Sequence, residues 1–160
     1  MAKAAKPVPD GYHTITPQLT LDNAAQTIDW YKKALGAEEV SRRAGPDGKI
    51  MHAELKIGDS RFMMNDVMMG GKGPQAFGGS PASLWLFVEN SDALFNRAVE
   101  AGATVKMPIA DQFWGDRAGA VSDPAGYTWW IATRKEDLTQ AEIQQRAAEF
   151  FKQMAQPTHS

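Results

Sequence analysis

Residues 19–23 read Leu-Thr-Leu-Asp-Asn, and residues 86–90, which lie 67 positions further along the chain, read Leu-Phe-Val-Glu-Asn. Each stretch ends at an Asn and precedes a segment with apolar residues at helical spacing, which closes at a glycine, Gly36 or Gly102. Asn is a frequent helix N-cap, and glycine commonly ends a helix. A repeat of this length predicts two copies of one supersecondary unit in the chain.

The first copy predicts the element order β-α-β-β-β. Apolar and polar side chains alternate over residues 13–21, as in a strand with one buried face, and Ile15 lies on the apolar side. Asp22 or Asn23 is the expected N-cap of the following helix. The other elements predicted in this copy are a helix over 24–35 and strands over 38–44, 50–57 and 61–66.

The second copy repeats this order after a linker. Residues 68–81 contain five glycines and two prolines, which argues against regular structure there. Asn90 or Ser91 is expected to cap the second helix, which ends at Ala101. The strands predicted in this copy cover 83–88, 104–109, 116–122 and 127–133. An amphipathic helix over 139–154 follows.

The fold class predicted from this order is α+β, with two tandem βαβββ modules and a C-terminal helix. The division predicted for the chain is a disordered leader over 1–12, a first module over 13–67, the linker over 68–81, a second module over 82–134, and a C-terminal helix and tail over 135–160.

Composition excludes several classes of function. The chain has 160 residues, 17 basic and 19 acidic side chains and a formal net charge of −2, which does not suit nucleic acid or an anionic membrane. The absence of cysteine excludes disulfides, thiolate metal sites and cysteine nucleophiles. No apolar run reaches the roughly 18 residues of a membrane span. We therefore expect a cytoplasmic protein with neither a nucleic acid nor a membrane as its partner.

Four local motifs give the repeat a family resemblance. They lie at residues 52–60 (His-Ala-Glu-Leu-Lys-Ile-Gly-Asp-Ser), 113–117 (Phe-Trp-Gly-Asp-Arg), 123–127 (Asp-Pro-Ala-Gly-Tyr) and 131–139 (Ile-Ala-Thr-Arg-Lys-Glu-Asp-Leu-Thr). Together they resemble the PhnB-like branch of the vicinal oxygen chelate superfamily, which includes glyoxalase I, extradiol dioxygenases and bleomycin-resistance proteins. The resemblance extends from about Thr14 to Arg146.

The resemblance implies a cup formed by two curved sheets and, in metal-dependent members, metal ligands on the first and fourth strands of each module. Carried over to this chain, these four positions fall near Thr16, Met63, Ser83 and Trp130. Hydroxyls, a thioether and an indole are poor ligands for divalent metals. A shift of two residues would bring in Gln18 or Trp85 and would not restore a metal site. We therefore expect no metal and no cofactor.

Strand parity places a set of polar and aromatic side chains on the face away from the helices. With Trp114, which lies in the loop before the strand over 116–122, the candidate ligand-binding residues are Thr16, Gln18, Thr20, Met63, Ser83, Trp85, Phe87, Trp114 and Trp130. Two interpretations remain open: these side chains receive a flat or apolar ligand, or the aromatic ones simply fill the cup.

His52 and Glu54 are weak catalytic candidates, because residues two apart on a strand share a face. They could act as an acid/base pair, or they could support strand pairing or contact solvent. A metal site would need a further histidine, and the chain offers only His13 and His159. Asp116 and Arg117 are expected to make a structural turn contact.

The function expected from this pattern is binding of a small, partly apolar or aromatic molecule in the cup, without a catalytic metal. The alternative is a glyoxalase-like lyase, isomerase or dioxygenase with a site that its sequence does not reveal. We expect a homodimer, because the resemblance implies curved sheets that often assemble across subunits, and because the C-terminal helix offers an apolar stripe that includes Ile143 and Phe150.

Overall fold

Each copy of the repeat folds into one helix and one four-stranded sheet in a computed structural model, which describes residue 4 and residues 6–155. The first module consists of β1 (Gln18–Leu21), α1 (Ala24–Leu35), β2 (Glu38–Ala44), β3 (Ile50–Ile57) and β4 (Ser60–Asp66). The second consists of β5 (Ser83–Phe87), α2 (Ser91–Glu100), β6 (Thr104–Asp111), β7 (Asp116–Ser122) and β8 (Thr128–Arg134). Helix α3 (Gln140–Met154) follows.

The two sheets have the same topology. The strand order is β1-β4-β3-β2 in the first and β5-β8-β7-β6 in the second, with β1 parallel to β4 and β5 parallel to β8. The remaining neighbours are antiparallel. This confirms the predicted α+β fold with tandem βαβββ modules and a C-terminal helix.

The modules pack through their helices and through a shared aromatic core. Tyr31 of α1 lies edge-on to Phe62 of β4 and to Trp129 of β8, with ring centroids 5.8 and 5.3 Å apart. All three residues are buried. The Trp30 indole also donates to the carbonyl of Ala101 at 3.0 Å, which joins α1 to the end of α2. The helix-side faces of both sheets therefore share one core.

Helix α1 is capped by a residue that is distant in sequence. The expected cap, Asn23, has a left-handed φ of 61° and makes no side-chain capping bond. Instead, Asp66 at the end of β4 accepts from the backbone N–H of Ala24 at 2.7 Å. Thr133, 67 positions beyond Asp66, likewise accepts from the N–H of Ser91 at 2.8 Å. In α2 the expected cap is present as well, because Asn90 accepts from the N–H of Ala93.

The first strand and the linker differ from their predicted extents. Strand β1 begins only at Gln18, because Pro17 has no N–H to donate to a neighbouring strand, and Ile15 is 86% exposed rather than buried. The linker, predicted to be irregular, contains a short 3₁₀ helix at Pro74–Phe77, which starts at a proline whose φ suits a first helical position.

The C-terminal helix α3 starts at the predicted place, with a capping box between Thr139 and Glu142. None of its residues is buried, and Phe150 and Phe151 remain 41% and 60% exposed. Phe113, whose ring centroid lies 5.4 Å from that of Phe150, and Glu136, which accepts from Arg146 at 2.6 and 3.0 Å, both contact the helix. In the part of the chain that the structure describes, no helix is both long and apolar enough to cross a membrane.

Candidate functional site

The candidate site lies on the two sheet faces that point away from the helices, which we call the open faces. Cross-strand register places Gln18, Met63 and Glu54 side by side on the open face of the first sheet. The equivalent row of the second sheet contains Trp85, Trp130 and Ala120. Related rows of the repeat therefore contain two polar side chains in one module and two indoles in the other.

A cavity of about 920 Å³ lies between the edge strands β1 and β5, and it is lined both by open-face residues and by helix-side residues such as Leu84 and Trp129. Of the nine predicted ligand-binding residues, four line it: Gln18, Ser83, Trp85 and Phe87. The other five do not: Thr16, Thr20, Met63, Trp114 and Trp130. Linker residues including Lys72 and Phe77 also border it, as do His13 and Tyr127. The Tyr127 hydroxyl donates to the carbonyl of Thr20 at 3.1 Å and so ties the second module to β1 beside the cavity.

The structure brings four predicted aromatic residues together, and we call this group the aromatic wall: Trp85, Phe87, Trp114 and Trp130. Trp85 stacks on Trp130 with ring centroids 4.7 Å apart and an interplanar angle of 3°. Phe87 and Trp114 flank Trp85 at 6.0 and 6.4 Å. Trp85 and Phe87 are 41% and 63% exposed, so part of the wall faces open space.

The predicted polar candidates at and before the start of β1 form hydrogen bonds with different residues. Thr16 precedes β1, and its hydroxyl donates to the carbonyl of His13 at 3.4 Å. The Gln18 amide donates to the side-chain oxygen of Asn65 at 2.9 Å. Met63 is the direct cross-strand neighbour of Gln18, as Trp130 is of Trp85. The residues directly opposite Met63 and Trp130 are therefore Gln18 and Trp85. Each lies two positions after the residue that the resemblance implied for the first strand of its module, Thr16 or Ser83.

These residues do not suit a divalent metal. A thioether and two indoles offer no hard ligand, and the Gln18 amide is already bonded to Asn65. Over residues 4 and 6–155, no three His, Asp or Glu side chains are grouped so that they could hold a metal ion. His13 and His52 are not brought together with Glu54 as such a group, and His159 lies outside the described residues.

His52 and Glu54 belong to a polar cluster on the first open face. The His52 Nε2 atom lies 3.4 Å from Glu54 Oε1, and an Arg61 nitrogen lies 3.9 Å from the other carboxylate oxygen. The Arg61 guanidinium also lies over the ring of Tyr12, 5.2 Å from its centroid. The nearby Tyr12 hydroxyl, His52 and Arg61 hold the pKa of Glu54 below its ordinary value, and burial raises the pKa of Tyr12.

Two members of this cluster were missed by sequence reasoning. Arg61 lies two positions before Met63 on β4, so strand parity could have placed it on the open face. Tyr12 falls in the predicted leader, and no local pattern indicates that it folds back over Arg61. The contact depends on how the chain enters β1.

The motif Phe-Trp-Gly-Asp-Arg at 113–117 places two charged side chains differently. Arg117 does not make the expected turn contact with Asp116: it donates to both carboxylate oxygens of Asp92 at 2.6 and 2.7 Å and so fastens β7 to α2. Asp116 is 4% exposed and accepts from the Trp114 indole N–H at 2.9 Å. Asp116 therefore holds the Trp114 indole, a member of the aromatic wall, in place.

Comparison with known proteins agrees with this fold and these motifs. The family model for the Glyoxalase/Bleomycin resistance protein/Dioxygenase superfamily matches residues 12–131. An uncharacterized protein of Mycobacterium bovis is 44% identical over 135 residues, which cover 81% of this chain and 89% of that protein.

Solved structures share this fold. TioX from Micromonospora sp. ML1 matches with a TM-score of 0.61 and 24% identity over 79% of this chain and 100% of its own. The PhnB protein from Bacillus cereus matches with a TM-score of 0.60 and 20% identity over 76% of this chain and 99% of its own. With the family match over residues 12–131, the chain belongs to the Glyoxalase/Bleomycin resistance protein/Dioxygenase superfamily, as its motifs predicted.

Proposed function

We propose that this protein binds a small, partly apolar or aromatic molecule between its two sheets, without a catalytic metal. The observation that carries the proposal is the exposure of Trp85 and Phe87 beside a cavity of about 920 Å³. That volume is in the range of drug-sized ligand sites. Large aromatic side chains exposed at a cavity wall are unusual unless something covers them.

The arrangement of the wall favours a flat ligand. Trp85 and Trp130 are parallel and in contact, so an aromatic ligand stacked on the free side of the pair would continue the stack. Each aromatic contact adds about 0.5–1.5 kcal/mol beyond area burial. A ligand that touches Trp85, Phe87 and one further ring would therefore bind with a Kd near the micromolar range. Gln18 and Ser83 line the same cavity and can hydrogen-bond to its polar edge.

The proposal includes a homodimer in the cytoplasm. Trp85 and Phe87 on one module and Phe151 on α3 leave a large apolar surface exposed on a single chain. Patches of this kind on soluble proteins mark interfaces or binding grooves. A second copy that covers part of it with the polar open face of its own first sheet would turn the half-open cavity into an enclosed one.

The alternative is an enzyme that uses the polar cluster of the first sheet. The observation in its favour is the proximity of His52 to Glu54, with Arg61 and Tyr12 around the carboxylate. The lowered pKa of Glu54 keeps it ionised, which suits orientation of the His52 ring better than general-acid work.

The test is calorimetric titration with 4-phenylbutan-1-ol, a small apolar probe with one polar end. We expect saturable binding to the wild type and at least fivefold weaker binding to Trp85→Ala and Trp130→Ala. Trp30→Phe is the matched control, because Trp30 lies in the helix interface away from the cavity. Absence of binding to the wild type, or equal affinity in all variants, would contradict the proposal.

A further inference from the structure

One buried carboxylate, that of Asp116, has no part in the proposed function. Asp116 is 4% exposed, and its Oδ2 atom accepts the Trp114 indole N–H at 2.9 Å. Its Oδ1 atom is also buried and has no hydrogen-bond partner among the described residues. Buried carboxylate oxygens are nearly always paired, because an unpaired one loses its hydration without compensation.

The two arginines next to Asp116, one in sequence and one on the neighbouring strand, are bonded elsewhere. Arg117 donates to Asp92 and Asp111. Arg134 is the direct cross-strand neighbour of Asp116, yet its guanidinium bonds to Asp137 at 3.2 Å. Both arginines therefore bond to other carboxylates, and Asp116 Oδ1 remains available to accept from a positively charged group.

The surroundings of Asp116 also favour a cation. Trp114 joins the carboxylate to the aromatic wall, and indole faces attract cations through their quadrupole. On its other side, Asp116 borders a second cavity of about 310 Å³, whose remaining charged lining residues are Asp111, Lys135 and Glu136. A buried carboxylate with one unpaired oxygen, bonded to the Trp114 indole N–H and bordering a small cavity with two further carboxylates, suits an organic ammonium group.

We propose that Asp116 and Trp114 recognise an ammonium group on the ligand, so that the protein selects aryl or alkyl amines over neutral molecules of the same shape. This inference rests on the proposed function, since the apolar part of the ligand lies on the aromatic wall. Asp116 supplies the negative charge and one free oxygen, and the indoles of Trp114 and Trp85 cover the alkyl carbons next to the nitrogen.

The experiment compares two probes of equal shape, 4-phenylbutylammonium and 4-phenylbutan-1-ol, by calorimetry at fixed ionic strength. We expect the wild type to bind the ammonium at least tenfold more tightly than the alcohol. Asp116→Asn keeps an acceptor for Trp114 but loses the charge, so the ratio should fall below threefold. Asp47→Asn is the control, because Asp47 is an exposed turn carboxylate bonded only to a backbone N–H, and it should leave the ratio unchanged.

A second measurement does not depend on the Asp116 variant being folded. In the ¹⁵N-labelled wild type, the Trp114 indole N–H resonance, assigned with Trp114→Phe, should shift more with the ammonium than with the alcohol. If the alcohol binds but the wild-type ratio is near one, or the Trp114 resonance does not respond, this inference is wrong and the proposed function stands. If neither probe binds the wild type, both are wrong.

Discussion

The hydrogen bond between Tyr31 and Asp123 offers a sharp test of how the two modules are held together. The Tyr31 hydroxyl on α1 donates to Asp123 Oδ2 at 2.6 Å across 92 positions of sequence, and both residues are buried. Tyr31→Phe removes only this hydroxyl. The ring keeps its contacts with Trp129 and Phe62, so no cavity forms.

The expected cost follows from the partner's charge and burial. A hydrogen bond to a charged group contributes about 1.5–3 kcal/mol, more than a neutral one. Asp123 also accepts from the Trp129 indole and from the backbone N–H groups of Ala125 and Tyr127, so it keeps three donors in the variant. We therefore expect the free energy of unfolding to fall by about 1.5–3 kcal/mol.

Chemical denaturation followed by circular dichroism measures this change. Tyr127→Phe is the matched control, because its hydroxyl donates to a neutral backbone carbonyl at 3.1 Å and it is only half-buried. Its cost should be near the lower end of the range for neutral bonds, about 0.5 kcal/mol. Equal costs for the two variants would show that the Tyr31–Asp123 bond does not contribute as its geometry indicates.

Four further predictions follow from the structure. Trp129→Ala should lower the free energy of unfolding by about 3–5 kcal/mol, because the indole is fully buried, whereas Trp85→Ala should cost less than half of that in the same urea titration. Burial raises the pKa of Asp123 above 3.8, so its contribution to stability is complete at low pH and is lost as pH rises through the folded-state pKa. The stability of the wild type relative to Asp123→Asn should therefore decrease as the pH rises above about 4, and a constant difference would contradict this sign. Elemental analysis should find no stoichiometric metal, and nickel, zinc, cobalt or manganese should not raise the melting temperature. Light scattering should give about twice 17.5 kDa, and Phe151→Glu should shift the mass towards the monomer; a wild type that stays monomeric on concentration would refute the dimer.

The repeat was readable because its signals are local. Alternation along β3 and β4, helical spacing in α1 and the glycine that ends each helix depend on neighbours only a few residues apart. The same alternation predicted that Trp85 and Trp130 share a face and that Trp129 points the other way, and the structure places them so. Side-chain direction in a strand follows from backbone geometry alone.

The features that remained hidden depend on residues far apart in sequence. Asp66 rather than Asn23 caps α1, because the parallel pairing of β1 with β4 brings the end of β4 to the start of the helix. The sequence showed that Asp66 and Thr133 occupy equivalent positions of the repeat, 67 residues apart. It did not indicate that both cap helices.

The candidate site shows the same division. Sequence alone determined the two modules, the composition of their open faces and the absence of suitable metal ligands at the positions that the resemblance implies. Tertiary structure alone decided that β1 and β5 border one cavity, that Tyr12 reaches Arg61, and that Asp116 is buried under Trp114 with one oxygen unpaired. The physical reason is that periodicity fixes the direction of a side chain, whereas its burial and its hydrogen-bond partners are set by elements that meet only when the chain is folded.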